Sequence, residues 1–310
     1  MADTADEIST RAHLPSSFDL GVDGSDIPTR TLVFGLTDRH GAIGLGDLLS
    51  VAQACNLSED QVRSCLRRLV AEGLYERRGE GREATYHTTD AGDLVQRAVL
   101  SRHLLAYAQD AAGRGWDRRW HLVGFAVPER RRAARDGLRD HLRTLGGALI
   151  HPGLYVSPHP WEDQVAEGAA QLGVAEHLTM ASTDDLSAWG ITDPRRLAAE
   201  LWPLDELARR YEEFIADYRD VPQWLEAQLA DHHRLPEADW LPGVLAFAHR
   251  FSECNAADPL LPPELLPRPW PGREARELVA RCRRLGTMVR EERTSPTLFW
   301  VFDEAIAHLP

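Results

Sequence analysis

The 310-residue chain carries 35 basic side chains against 48 acidic ones, for a formal charge of −13 at pH 7, and 43% of its residues are apolar. That length has room for two or three domains with sizeable cores, and that charge excludes a surface that coats nucleic acid as a whole. The sequence contains no lysine, so every basic side chain is arginine; a P-loop lysine, a pyridoxal Schiff base and a Ser-x-x-Lys nucleophile are all excluded.

Residues 1–27, with Pro15, Ser16, Ser17, Gly21 and Gly24 among several acids, read as a disordered tail. Their acidic, polar start resembles neither a signal nor a transit peptide. The longest stretch without Arg, Asp or Glu, Thr144 to His159 with Pro160 and Trp161, is broken by Pro152, Pro158, Pro160 and glycines, so no membrane span is expected. Cys55, Cys65, Cys254 and Cys282 form no Cys-x-x-Cys pair, and reduced, buried thiols in a cytoplasmic protein are expected.

Residues 28–112 hold the first ordered domain. Pro28 starts a helix over Thr29 to Thr37, and an apolar face marks a second over Leu45 to Cys55, followed by a short turn at Asn56. After Ser58, an N-cap, the stripe Val62, Cys65, Leu66, Leu69 and Val70 predicts a third helix, which Gly73 ends. Its other face carries Gln61, Arg63, Ser64, Arg67 and Arg68. Leu74 to Arg78 and Ala84 to His87 then read as strands around a turn with Gly79, Gly81 and Arg82 near its tip. This is the pattern of a winged helix-turn-helix: a recognition helix, then a wing. Between residues 61 and 82 six arginines face three glutamates, a locally positive piece inside an acidic chain. A helix followed by a hairpin also occurs in folds that bind no DNA, and outward arginines are often only solvated, so both readings stand on pattern alone. Thr88-Thr89-Asp90 opens a helix to about Gln109, with Leu94, Val95, Ala98, Leu104 and Leu105 apolar; it either packs on its own core or links and dimerises domains.

Residues 113–190 form a second unit after Gly113 and Gly115. Trp120 to Val127 reads as a strand apolar on both faces, Trp120/Leu122 and Val123/Phe125/Val127, so something covers the sheet on each side. A helix from Pro128 to Leu145 turns Ala134, Leu138, Leu142 and Leu145 inward. Short strands at Ala148 to Ile150 and Leu154 to Val156, a helix over Trp161 to Leu172 and a strand at His177 to Met180 complete a ferredoxin-like order. Residues 191–310 are helical: Pro194 to Trp202, Leu204 to Tyr218, a short helix from Val221 to His232, Leu241 to Cys254, Gly272 to Arg290 and Pro296 to Leu309. A rigid Pro-rich run from Asp258 to Gly272 interrupts them. The fold class is therefore α+β.

The recognition helix with Gln61-Val62-Arg63 and Leu69 to Leu74, the Trp120 strand leading to Pro128-Glu129-Arg130, the run Gly153-Leu-Tyr-Val-Ser-Pro158, and above all Asp258-Pro-Leu-Leu-Pro-Pro-Glu-Leu-Leu-Pro267 with Trp270-Pro271-Gly272 resemble the PaaX family, bacterial transcriptional repressors of phenylacetate catabolism. The resemblance spans roughly residues 28 to 292. It implies an N-terminal winged helix, a Cas2-like middle domain and a helical C-terminal domain. It further implies a homodimer on a palindromic double-stranded DNA operator, released by an acyl-CoA, in particular an aryl-CoA such as phenylacetyl-CoA. Carried over by position, Ser58, Gln61, Arg63, Ser64 and Arg67 would face the major groove, with Arg63 the first choice for a guanine, while Arg77, Arg78 and Arg82 would meet phosphates or the minor groove. The sequence departs from the family in its long tail and in Gly41-Ala-Ile-Gly44-Leu-Gly46, glycine-rich where members have a more ordered connection.

A CoA thioester needs cations for its phosphates and an apolar pocket for its acyl group. Arg131, Arg132, Arg135 and Arg139, with Trp161 and Trp202, are the candidates for that effector site, although a solvated face also accounts for the arginines. No catalytic residue, metal or cofactor is expected. The Trp120 strand lacks the carboxylate a Cas2-like nuclease would use, no familiar catalytic motif is present, and the spacing of Asp231, His232, His233 and His249 matches no zinc site. A scaffold with a degenerate winged helix is the alternative to a repressor.

Overall fold

The computed structural model describes residues 29–113, 115–232, 237–289 and Phe299, with only the backbone of 237–240. The expected tail over 1–27 and, Phe299 apart, the expected closing helix Pro296 to Leu309 lie outside them. By its contacts the chain divides into two compact units. One comprises the chain up to Asp93 with Ala216–Arg250 and the chain from Leu278; the other is mainly Leu94–Ile215 and Phe251–Glu277.

The first unit opens with α1 (Thr29–Leu36), β1 (Ala42–Gly44), α2 (Leu45–Ala54), α3 (Glu59–Ala71), β2 (Tyr75–Arg78) and β3 (Thr85–Thr88), the strands forming one antiparallel sheet in the order β1-β3-β2. Helix, strand, helix, helix, strand, strand is the order of a winged helix-turn-helix. Leu32, Leu36, Leu48, Val62, Leu66 and Leu69 bury their side chains between the helices, and Tyr75 closes the core with its hydroxyl 2.7 Å from Thr37 Oγ1. Val70, counted on the apolar stripe of α3, is instead 37% exposed.

The glycine-rich connection is more ordered than its composition suggests. Asp38 Oδ1 accepts from the backbone N–H of His40 and of Ala42, both at 2.8 Å, and Ile43 is buried opposite Tyr86, so the segment pairs as β1. Gly41 sits at φ +72°, and a Cβ there would come within 2.1 Å of Thr88 Oγ1, which only glycine avoids. The same unit holds α9 (Val221–Ala230) and most of α10 (Glu237–Ala257), and Phe247 of α10 meets the ring of Tyr218, three residues before α9, edge to face at 4.9 Å.

The second unit contains most of α4 (Asp90–Ala112), then β4 (Trp120–Phe125), α5 (Arg132–Thr144, after a 3₁₀ turn), β5 (Ala148–His151), β6 (Leu154–Ser157), α6 (Glu162–Gln171) and β7 (Leu178–Thr183). The antiparallel sheet runs β5-β6-β4-β7, the ferredoxin-like topology. β7 is longer than its apolar pattern predicts because Ala181, Ser182 and Thr183, with no core to face, still complete six residues of pairing with β4. Both faces of the sheet are covered. Val123, Tyr155, Leu138, Leu142, Trp161 and Val165 fill the side of α5 and α6. Trp120, Ala148, Ile150 and Val156 pack on the other side against α7 (Pro194–Leu201), the start of α8 (Leu204–Tyr218) and the Pro-rich run.

That run ends at α11 (Pro271–Val289) and is pinned by buried polar groups. Arg276 makes a bidentate pair with Asp110 (2.5 and 2.9 Å) and lies 3.8 Å from Asp258, itself 3% exposed. Asp258 accepts from the Tyr211 hydroxyl at 2.8 Å and from the Leu260 N–H at 2.7 Å. Burial pushes the Tyr211 hydroxyl far above its ordinary pKa, so it stays a donor. His159 bonds the Leu260 carbonyl at 2.8 Å, and burial holds its pKa below the ordinary histidine value of 6.5.

Arg276→Leu leaves the buried Asp258 and the half-buried Asp110 without their cation and should cost about 3–5 kcal/mol in urea unfolding, whereas loss of the exposed Arg209 pairs should leave the unfolding midpoint nearly unchanged. Because the folded-state pKa of His159 is depressed, its contribution is full above pH 6.5 and is lost as pH falls through the lower folded value. Unfolding midpoints should therefore drop on acidification below pH 6.5, with a shallower slope in His159→Gln.

Candidate nucleic-acid interface

Local chemistry sets the ends of α3. Ser58 and Gln61 form a reciprocal capping box: Ser58 Oγ accepts from the Gln61 N–H at 3.3 Å, and Gln61 Oε1 accepts from the Ser58 N–H at 2.8 Å. Both side chains, expected to face a groove, are thus engaged in starting the helix. At the other end Thr89 Oγ1 donates to the Gly73 carbonyl at 2.5 Å and accepts from the Gly92 N–H at 3.2 Å, so one hydroxyl serves the end of α3 and the start of α4.

The outward face carries Ser64 and Arg67, with Arg63 on its flank beside the hairpin. Glu59, in the first turn, bridges helix and hairpin: its Oε1 accepts from Arg82 at 2.7 Å and its Oε2 from Arg63 at 3.2 Å. Hydrogen bonds from Arg82 and then Arg63 hold the Glu59 carboxyl below the usual range. The two arginines favoured as DNA contacts are therefore tied to one carboxylate 23 residues from Arg82. Arg78 pairs with Glu76 along β2. Arg67 and Arg77 are exposed and make no ion pair among the described residues, which leaves them as the readily available cations of helix and wing. A sequence signal for Glu59 existed in its i,i+4 spacing to Arg63; none existed for Arg82.

The six effector candidates do not converge. Arg131 bonds Glu176 (3.0 Å) and the Gly173 carbonyl, Arg132 lies 3.6 Å from Asp136, Arg135 pairs with Glu129 at 2.5 Å, and Arg139 pairs with Asp136 at 3.2 Å. Trp161 is buried between the sheet and α5/α6, while Trp202 lies on the opposite side of the sheet, stacked 6.4 Å from Trp120 and donating to the Gly146 carbonyl at 3.0 Å. Both tryptophans are core. Arg139 does line a groove of about 390 Å³, with Arg143, Asp136, Asp140, Leu149 and Tyr155. Sequence reading missed His121, buried on β4 with one ring nitrogen 2.6 Å from Glu162 and the other 3.2 Å from Asp117.

Three family models match in succession: PaaX-like protein over residues 29–92, the PaaX protein central Cas2-like domain over 113–198 and the PaaX-like protein C-terminal domain over 202–291. The chain belongs to the PaaX family. It is 28% identical over 257 residues to the Escherichia coli (strain K12) protein "Transcriptional repressor PaaX", covering 83% of this chain and 78% of that one. The solved structure of uncharacterized protein Rv0674 from Mycobacterium tuberculosis shares the fold, with a TM-score of 0.50 and 21% identity over 84% of this chain and 92% of the other. The middle PaaX domain ends its first strand at Phe125 without a carboxylate, and no group of three or more His, Cys, Asp or Glu able to hold a metal occurs among the described residues. No helix there is long and apolar enough to cross a membrane.

Glu59→Gln removes the shared carboxylate, frees Arg63 and Arg82 and adds a unit of positive charge to the PaaX winged helix. Affinity for mixed-sequence duplex at low salt should rise by about three- to tenfold, measured by fluorescence anisotropy. A fall in affinity would mean that the bridge preorganises the wing instead.

Proposed function

We propose that the chain is a transcription regulator, acting in the cytoplasm as a homodimeric repressor on a palindromic DNA operator. Kinship with the Escherichia coli repressor supports regulation of transcription. The observation that carries DNA binding is the outward face of α3 beside the β2–β3 hairpin, where Arg67 and Arg77 are exposed and make no ion pair among the described residues and Arg63 and Arg82 are held by one replaceable carboxylate. Arg67 is the first choice for a base contact, with Ser64 beside it; Arg77, Arg78 and Arg82 serve the phosphates or the minor groove at the wing. Because the chain as a whole is acidic, non-specific attraction is weak and discrimination falls to base and shape readout. No step of this function calls for a catalytic group.

The effector is an acyl-CoA thioester, aryl-CoA foremost. The groove at Arg139 and Arg143 supports this by its size and by two guanidinium groups near Leu149 and Tyr155, each now paired with an aspartate, Asp136 at 3.2 Å and Asp140 at 3.5 Å, that a phosphate would have to displace. A tenfold release of DNA requires a coupling of about 1.4 kcal/mol between the two ligands.

Purified protein should retard a duplex from its own promoter, with log K falling linearly as log salt rises. Arg67→Ala should cost about 1–3 kcal/mol and relax preference at one base pair, whereas Arg77→Ala should weaken all sequences alike. Absence of any shift at low salt, with the promoter and its neighbouring intergenic DNA, would leave the scaffold reading in its place.

A further inference from the structure

Among the described residues Trp189 is the one aromatic side chain left exposed, with 50% of its surface in solvent. It stands at the tip of a two-residue turn. Ala188 and Ile191 exchange both backbone hydrogen bonds, at 3.2 and 2.8 Å, and the residues between them are both left-handed, Trp189 at φ +52° and Gly190 at φ +76°. Asn-Gly is the usual filling of such a turn. An indole there strains the backbone for a side chain that buries little, and strain of that kind collects at ligand sites.

The indole lies beside the groove of Arg139 and Arg143. On the edge strand β5, exposed Leu149 and His151 alternate with buried Ala148 and Ile150, and the His151 ring meets the indole at 5.8 Å with 77° between the planes. Pro152 and Gly153, next in the chain, line the groove together with Leu149. Consecutive Cα atoms lie about 3.8 Å apart, which puts the indole on the order of 10 Å from the groove's rim. Tyr155, 1% exposed, also lines the groove, and its hydroxyl makes no hydrogen bond among the described residues.

At about 390 Å³ the groove is smaller than a whole CoA thioester, so part of such a ligand must lie outside it. Chemistry sorts the parts. An acyl arm matches Leu149, Pro152 and the Tyr155 ring, and phosphates match Arg139 and Arg143 in exchange for Asp136 and Asp140. A flat base remains, and bases stack on aromatic faces.

We propose that Trp189, braced by His151, is the stacking platform for the purine of a nucleotide-bearing ligand whose phosphates reach Arg139 and Arg143. The proposal rests on the reading of that groove as the acyl-CoA site, and it assigns the adenine end of the ligand to the indole.

Trp189→Asn suits the left-handed turn, so the thermal unfolding midpoint of the full chain should hold or rise. Titration calorimetry should nevertheless show adenosine 3′,5′-bisphosphate binding this variant at least about tenfold more weakly than the parent, with Trp189→Tyr within about threefold of it. Phenylacetyl-pantetheine, which has the acyl arm without the nucleotide, should bind the parent and Trp189→Asn alike. A bisphosphate that does not bind the parent, or binds Trp189→Asn equally, would overturn the proposal, as would an equal loss for the pantetheine thioester. Phenylacetyl-CoA that binds the parent and Trp189→Asn equally would remove the platform and leave the acyl-CoA reading standing. Bisphosphate held through Trp189, with no binding of either thioester, would uphold the platform and remove that reading instead.

Discussion

A single buried guanidinium holds the second unit in its arrangement. Arg276 enters from α11 and meets Asp110 of α4 and Asp258 of the Pro-rich run, while Tyr211 of α8 donates to the same Asp258. Four elements, drawn from three separate stretches of the sequence, therefore share one electrostatic centre. Charges removed from water are stable only when paired, so none of these elements can shift without leaving an ion exposed to an apolar interior. The pinning has a directional consequence for α4: Arg102, Tyr107 and Asp110 turn that side of the helix toward Asp258 and Arg276, which leaves Leu94, Leu104 and Leu105 to solvent.

The winged helix follows a different logic. Its core is assembled by aliphatic packing, and its charges sit at the surface, where individual pairs contribute little to stability. Their weight is felt in what they hold ready. Glu59 neutralises part of the positive face and ties hairpin to helix, so engagement of an anionic partner is an exchange of one set of oxygens for another.

Local pattern made much of this legible. A 3.6-residue period identified α3, Ser58 and Gly73 marked its ends, and the apolar faces of β4 foretold a sheet covered on both sides. Prolines and tryptophans in the run from Asp258 to Gly272 pointed to the family. Composition misled at Gly41 to Gly46, where the register with β3 turned an apparent loop into β1, and at Trp161 and Trp202, where aromatic content suggested a pocket and the sheet separates the two rings into different cores.

The sequence by itself determined the order and kind of the elements, the family and the composition of each face, because periodicity and capping act between residues a few positions apart. Only the tertiary structure decided which charges are spent on one another and which apolar stripe is left bare. Arg82 meets Glu59, and Arg276 meets Asp110, through proximity in space that no spacing along the chain encodes. The stripe on α4 is exposed because the buried ion network claims the opposite side of that helix.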